Sequence, residues 1–332
     1  MKVKLITLEE HYLNVDIATA SAPAAAELSP DFATAYDPAN GYSYSPTREV
    51  LMDLGEGRIA DMNRYGITMQ VLSCLTAQQL PVNVAKELVK KSNDLLFRAV
   101  RAHPQRFAAF AALPTALPDV AAAELDRSIN ELGFVGTMIN GRTQGDFLDA
   151  PRFDPILRKA AELKVPIYLH PAVPPRETTD SNYAGLEPLV VARFQSSAWG
   201  WHQETAVHFL HMVLNGVFDR YPELQIILGH WGEMIPFFLD RLDEALPQRM
   251  TKLGRTIGQY VRENMYITPS GMFSQEQLQY CVETVGVDRI LYSVDYPFIG
   301  NEGAVSFLEQ ANLSEASKEK IAHGNTEDLL RL

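Results

Sequence analysis

The chain has 332 residues, 46% of them hydrophobic and 21% charged, with a formal net charge of −12 at neutral pH. That length and composition allow one large domain with a substantial core. The acidic balance works against nucleic acid or an anionic membrane surface as a partner. No apolar run approaches the ~20 residues that span a bilayer. Glu9 and Glu10 interrupt the apolar stretch that follows Lys2 and Lys4, so a secretory leader is not expected. Cys74 and Cys281 lie far apart in apolar surroundings without metal spacing, which predicts buried free thiols in a reducing, cytoplasmic setting.

In chain order, residues 4–8 alternate and carry Ile6 and Thr7, which predicts a short strand halting on Glu9, Glu10 and His11. Residues 12–50 form a long insertion rich in Ala, Pro, Ser and Tyr. Strands are then predicted at 67–73, 106–113, 134–140, 165–170, 224–230, 264–268 and 289–295. Helical spacing of apolar residues fills 82–103, 116–132, 154–164, 205–221, 235–246 and 274–285. Eight strands alternating with helices are the pattern of a (β/α)8 TIM barrel, read here as a single α/β domain over residues 1–332. A doubly wound open sheet is the alternative, but no Gly-rich phosphate loop follows any strand. The segments 12–50, 141–153 and 171–200 exceed ordinary loop length and are expected to form lids or oligomer contacts.

Side chains at the C-terminal ends of barrel strands converge on one face. Those ends carry Glu9 and His11 on the first strand, His170 on the fifth, His230 on the sixth and Asp295 on the eighth. Glu9 and His11 are two apart and share a side of their strand. Carboxylates and imidazoles together suit one Zn²⁺ or Mn²⁺. His103, His202, His208, His211 and His323 fall in helical or loop patterns and are read as structural. Glu233 follows His230 by three residues, so the two meet if the chain turns straight into a helix there. Otherwise Glu233 is a first-turn acid at a helix N-terminus.

The blocks LEEHY, YLHP at 168–171, GVFDRYPELQIILGHWGE at 216–233 and RILYSVDYPF at 289–298 resemble the amidohydrolase-related metal-dependent decarboxylases. That group includes the aminocarboxymuconate-semialdehyde, γ-resorcylate and 5-carboxyvanillate decarboxylases. LGEGRIADMNRYGI at 54–67 and the final GNTEDLLRL extend the resemblance over nearly the whole chain. The Glu-x-His opening is closer to the resorcylate branch than to the carboxyvanillate branch, which has Ala at the His position. The resemblance implies metal ligands Glu9, His11, His170 and Asp295, with His230 close by and hydrogen-bonded to Glu233. Hydrolytic members of the superfamily often carry a bridging Lys on the fourth strand. Here that strand ends in Asn140 and Gly141, so one metal is expected.

What the resemblance implies for function is non-oxidative decarboxylation of a hydroxylated aromatic acid of the γ-resorcylate or dihydroxybenzoate type. The metal would orient the phenolic acid, and Asp295, or failing that His230, would protonate the ring carbon. Hydrolysis of a lactone, ester or amide on the same barrel is the alternative. A substrate carboxylate needs a cation, for which Arg241 is the first candidate and Arg48 and Arg58 the others. An aromatic ring also needs apolar walls. Phe298 is placed for that, while Trp199, Trp201, Tyr42 and Tyr44 lie in the insertions that could close over it. The family resemblance further implies a homodimer or homotetramer.

Overall fold

The computed structural model describes residues 4–41 and 45–332; Tyr42 and Tyr44 lie outside the described residues. Seven strands form one curled sheet in sequence order: β1 (Ile6–Tyr12), β2 (Met69–Cys74), β3 (Phe107–Ala111), β4 (Gly136–Asn140), β5 (Ile167–His170), β6 (Ile226–Leu228) and β7 (Met265–Ile267). Every neighbouring pair is parallel. The side-chain period of two divides the core. Ile6, Leu8, Val71, Phe110, Met138, Tyr168 and Ile227 pack together on one face. Their alternates, such as Leu72, Phe107, Ile139, Leu169 and Leu228, meet the helices on the other. Those helices include Val82–Ala102, Pro118–Asn130, Asp154–Leu163, Gly200–Leu214 and Gln275–Val285. Two helix starts are capped by side chains: the Ser274 hydroxyl accepts the Gln277 N–H at Gln275–Val285, and Thr256 and Gln259 form a capping box at Ile257–Asn264.

Two expectations at the sheet edges are corrected. The first strand does not halt at Leu8 but runs through the acids to Tyr12, because it takes up an extra residue. Leu8 lies opposite Val71 and Glu10 opposite Leu72, leaving Glu9 as a bulge with φ 76°. The eighth predicted strand is not a regular strand: a single parallel bridge joins Ile290 to Ile267. Leu291 N–H donates to Ile267 O at 2.9 Å, Leu8 N–H to Tyr292 O at 3.0 Å and His11 N–H to Tyr296 O at 2.6 Å. This segment therefore touches both β7 and β1 without a continuous ladder. The N–H groups of Val294 and Tyr296 turn to the Glu10 carboxylate instead of a neighbouring strand.

Among the described residues, the insertions 12–50 and 171–200 carry helices and are joined to each other. Residues 12–50 contain the helix Val15–Leu28, whose first N–H groups, those of Asp16 and Ile17, donate to the Asn14 side chain. Residues 171–200 contain the helices Arg176–Tyr183 and Pro188–Phe194. Arg193 donates to the carbonyls of Ala35 at 2.8 Å and Asn40 at 3.0 Å, and Gln195 to Ser29 Oγ at 2.7 Å. Cys74 and Cys281 are buried and free. Among the described residues no helix is long and apolar enough to cross a membrane.

His208, on the helix Gly200–Leu214, holds the 141–153 segment by accepting the Leu148 N–H at Nε2, 2.7 Å away. Burial, then the charge of Arg142 and the neighbouring His211, push its pKa down from 6.5 to about 3. Between those values the unfolded chain binds the extra proton and the folded one does not, so stability rises with pH. Acidification through that window is expected to remove up to ~1.4 kcal/mol per pH unit from this group alone. Urea unfolding across the window should show a flatter acid limb for His208→Gln; an unchanged slope would refute the assignment.

Candidate metal centre

Glu9, His11, His170 and Asp295, from β1, β5 and the segment after Val294, bring one ligand atom each within 4.8 Å of one another. His11 Nε2 is 3.1 Å from Asp295 Oδ1, and His170 Nε2 is 3.5 Å from Glu9 Oε1. The outer atoms of the set are already tied. Glu9 Oε2 accepts from the hydroxyls of Ser270 and Ser293. His11 Nδ1 is 3.0 Å from Ser73 Oγ. His170 Nδ1 lies 2.7 Å from Pro171 O and 2.9 Å from the Asn140 side-chain amide. A backbone carbonyl only accepts, and the Asn140 amide oxygen, which otherwise has no partner, accepts as well once the amide is turned to face Nδ1; the proton of His170 then sits on Nδ1 and the lone pair on Nε2 faces the centre. Gly229 makes room for this packing: a Cβ there would come within 2.6 Å of Ser270 Oγ and 2.9 Å of Glu9 Oε1.

What remains untied is what a cation would take. Glu9 Oε1, His11 Nε2 and Asp295 Oδ1 are buried without a hydrogen-bond partner. Each such orphan costs about 1–3 kcal/mol, and one divalent ion in their midst satisfies all three. The donor set, two carboxylates and two imidazoles, fits Mn²⁺ or Zn²⁺. Burial raises the Glu9 pKa, as does the charge of Asp295, against the lowering effect of His230 and His11. Burial, His11 and His230 hold the His170 pKa well below its ordinary value, which keeps that imidazole neutral as a ligand must be.

A second group, His202, His230 and Glu233, has its ligand atoms equally close together but is built the opposite way. Glu233 Oε1 is 2.9 Å from His230 Nδ1, and Oε2 is 2.7 Å from His202 Nδ1, so both carboxylate oxygens are taken. Burial alone would raise Glu233, but the two imidazoles outweigh it and hold its pKa below the usual value. Burial would lower His230, yet Glu233, Glu9 and Asp295 push it up to about 10. The His230–Glu233 contact expected from helical spacing is therefore made by another backbone. His230, Trp231, Gly232, Glu233 and Met234 have φ of 49°, 59°, 75°, 51° and 68°, a left-handed run. Asp295, with φ 68°, joins Glu9 in the same region. Such angles cost roughly 1–2 kcal/mol per non-glycine residue, and they gather at functional sites. His202, read as structural from sequence, belongs to this cluster. It lies in a helix at no telling spacing from His230.

The remaining candidates are dispersed. The Phe298 ring lies 5.8 Å from the His11 ring, tilted at the edge of the centre. Arg58 is wholly buried, with Nε donating to Asp53 O at 2.7 Å and Nη2 to His11 O at 2.6 Å. It clamps the end of β1. Arg241, with 72% of its side chain exposed, pairs with Glu244 at 3.0 Å on the surface of this chain. Arg48 is exposed at the start of the short helix Arg48–Met52. Trp199 is 43% exposed, and Trp201 donates its indole N–H to His202 Nε2 at 3.0 Å. Glu10 was not singled out, yet its two oxygens accept the N–H groups of Val294 and Tyr296, both at 3.0 Å, on either side of Asp295. Burial pushes the Glu10 pKa up to about 8, although those N–H groups and Thr7 favour its ionised form.

With a curled parallel sheet, helices on its outer face and a carboxylate–imidazole set at the strand ends, the class is that of the amidohydrolases. The amidohydrolase family model matches residues 42–332, and the chain belongs to that family. Decarboxylase orsB of Emericella nidulans is 37% identical over 100% of this chain and 98% of its own length. The γ-resorcylate decarboxylase of a Polaromonas species is 37% identical over 86% of this chain and 90% of its own. The solved dihydroxybenzoic acid decarboxylase of Polaromonas, with bound manganese and the inhibitor 2-nitroresorcinol, has a TM-score of 0.85 at 34% identity. That alignment covers 99% of this chain and 97% of the other.

If Ser73 and Asn140 orient the two imidazoles, Ser73→Ala and Asn140→Ala should each weaken Mn²⁺ binding about 10–100-fold. Competition against a chelating dye measures this, and wild-type affinity in both variants would exclude the orienting role.

Proposed function

We propose that this chain is a metal-dependent, non-oxidative decarboxylase of a hydroxylated aromatic acid of the dihydroxybenzoate type. The observation that carries the reading is the set of buried, unpartnered ligand atoms on Glu9, His11 and Asp295 beside the lone pair of His170. The decarboxylase names of its relatives, and the manganese in one solved homologue, support it.

Loss of CO₂ leaves an electron pair on a ring carbon, which must gain one proton. A divalent ion held by Glu9, His11, His170 and Asp295 would supply Lewis acidity and a template for the phenolic acid. Asp295, whose backbone is fixed on both sides by Glu10, is assigned the delivery of the proton. His230 is the second candidate, kept protonated by Glu233. Phe298 offers an apolar wall to the ring. Because Arg58 is engaged by backbone carbonyls and Arg241 lies at the surface, the imidazolium of His230 supplies protein positive charge near a substrate carboxylate.

The same reading takes residues 290–294 as the closing segment of a (β/α)8 barrel and the chain as a single domain. The joined insertions 12–50 and 171–200 act as a lid. Leu186 and Val190, 51% and 52% exposed in the second insertion, favour contact with further copies in a homodimer or homotetramer. Light scattering on the purified protein should give a mass two or four times that of the chain; a monomer would remove this part. The two free thiols fit a cytoplasmic location.

Metal-loaded protein is expected to convert 2,6-dihydroxybenzoate to resorcinol and CO₂ without oxygen-18 uptake from labelled water into resorcinol. Absence of CO₂ across a panel of hydroxybenzoates, or label in the product of a lactone or ester, would replace the reading with hydrolysis. Asp295→Asn should lower kcat by about 10²–10⁴-fold, with metal content measured alongside to separate proton delivery from ligation.

A further inference from the structure

Glu233 is buried and sits inside the left-handed run from His230 to Met234, where no regular helix fixes it. The backbone of that run is pinned by Trp231 N–H to Thr268 O at 2.8 Å and by the Trp231 indole N–H to Met272 O at 2.8 Å. The Glu233 side chain is pinned from elsewhere. His202, in the first turn of the helix Gly200–Leu214, reaches across to Oε2 at 2.7 Å while His230 occupies Oε1. The polarity of this chain of bonds can be read. Nε2 of His202 lies between the Trp201 indole N–H at 3.0 Å and Ser197 O at 2.9 Å. An indole N–H only donates and a carbonyl only accepts. Whether His202 is neutral, taking the indole proton at Nε2, or charged, giving a proton to Ser197, its Nδ1 is protonated and donates to Glu233. The carboxylate is thus held at both ends by imidazole N–H groups, and it can present Oε1 to His230 in one orientation only.

We infer that His202 is a positioning residue that acts through Glu233 to fix the His230 ring, with Nδ1–H held on the carboxylate and the Nε2 edge turned to the substrate. This rests on the decarboxylase reading and adds a residue to it. Among the described residues His202 makes no hydrogen bond to any of the four centre residues, and Nε2 of His230 has no hydrogen-bond partner. The side chains of His202 and His230 are 15% and 11% exposed, so the arrangement borders the opening of the site while Glu233 is sealed beneath it.

The test is a double-mutant cycle on metal-loaded enzyme with 2,6-dihydroxybenzoate, using His202→Leu, His202→Gln, Glu233→Ala and His202→Leu with Glu233→Ala. His202→Leu is expected to lower kcat about 10–100-fold, with KM and metal content near wild type. His202→Gln, whose amide can donate to Glu233, should recover most of that loss. Once Glu233 is Ala, His202→Leu should cost nothing further, because the path runs through the carboxylate. A readout independent of turnover is the downfield Nδ1–H resonance of His230 in ¹⁵N-histidine-labelled protein. It should broaden or shift in His202→Leu and return in His202→Gln. Multiplicative losses in the cycle, no rescue by Gln, or an unmoved His230 resonance would each overturn the assignment. Wild-type enzyme that releases no CO₂ overturns the decarboxylase reading and this role together, whereas active wild type with fully active His202 variants overturns this role alone.

Discussion

Glu9 adopts φ 76° inside a parallel strand, and three consecutive polar side chains depend on the bulge it makes. Glu9 and His11 reach the shared centre, while Glu10 between them reaches the backbone on both sides of Asp295. One strand end therefore supplies two candidate ligands and the brace for a third. Arg58 completes the arrangement by holding the His11 carbonyl, so the strand is fixed after the bulge as well as before it.

The two clusters at the mouth of the sheet show opposite electrostatic designs. In the first, two carboxylates approach each other and ligand atoms are left unpartnered, an arrangement that disfavours the folded state until a cation is bound. In the second, every carboxylate oxygen is matched by an imidazole N–H, so the group is complete without an ion. Left-handed backbone accompanies both, at Glu9 and Asp295 in one and at His230 and Glu233 in the other. A bound metal stabilises the native state by mass action, which offsets both the carboxylate repulsion and part of the backbone strain. The folded protein and the loaded centre are in this sense thermodynamically linked.

Much of the fold was legible because burial writes a period into the sequence. Runs such as 165–170 and 224–230 carry the β-branched residues of a strand buried on both faces, and the structure places β5 and β6 within them. Glu9, His11, His170 and Asp295 were legible as polar residues where apolar runs end. The bulge was not, because nothing in Leu-Glu-Glu-His marks which residue turns left-handed. The eighth strand failed for a related reason: the N–H groups of Val294 and Tyr296 take the Glu10 carboxylate as acceptor, and a pattern of apolar residues does not report that. The clamp made by Arg58 was not legible, because an arginine in an exposed-looking helix gives no sign that its guanidinium will be buried against carbonyls. His202 was passed over because its partner, Glu233, lies on another element. The Ala-rich stretch after Asn14 was read as part of a loop although Asn14 is a ready N-cap; Pro23 within the helix obscured the periodicity.

The insertions 12–50 and 171–200 are stitched together by Arg193, Gln195 and Tyr36 through carbonyls and hydroxyls that each segment supplies to the other. Neither is a self-sufficient appendage. A chimera that imports one of them without its counterpart inherits unmatched donors on one half and bare acceptors on the other. Exchange between homologous scaffolds therefore has to treat the pair as a single cassette.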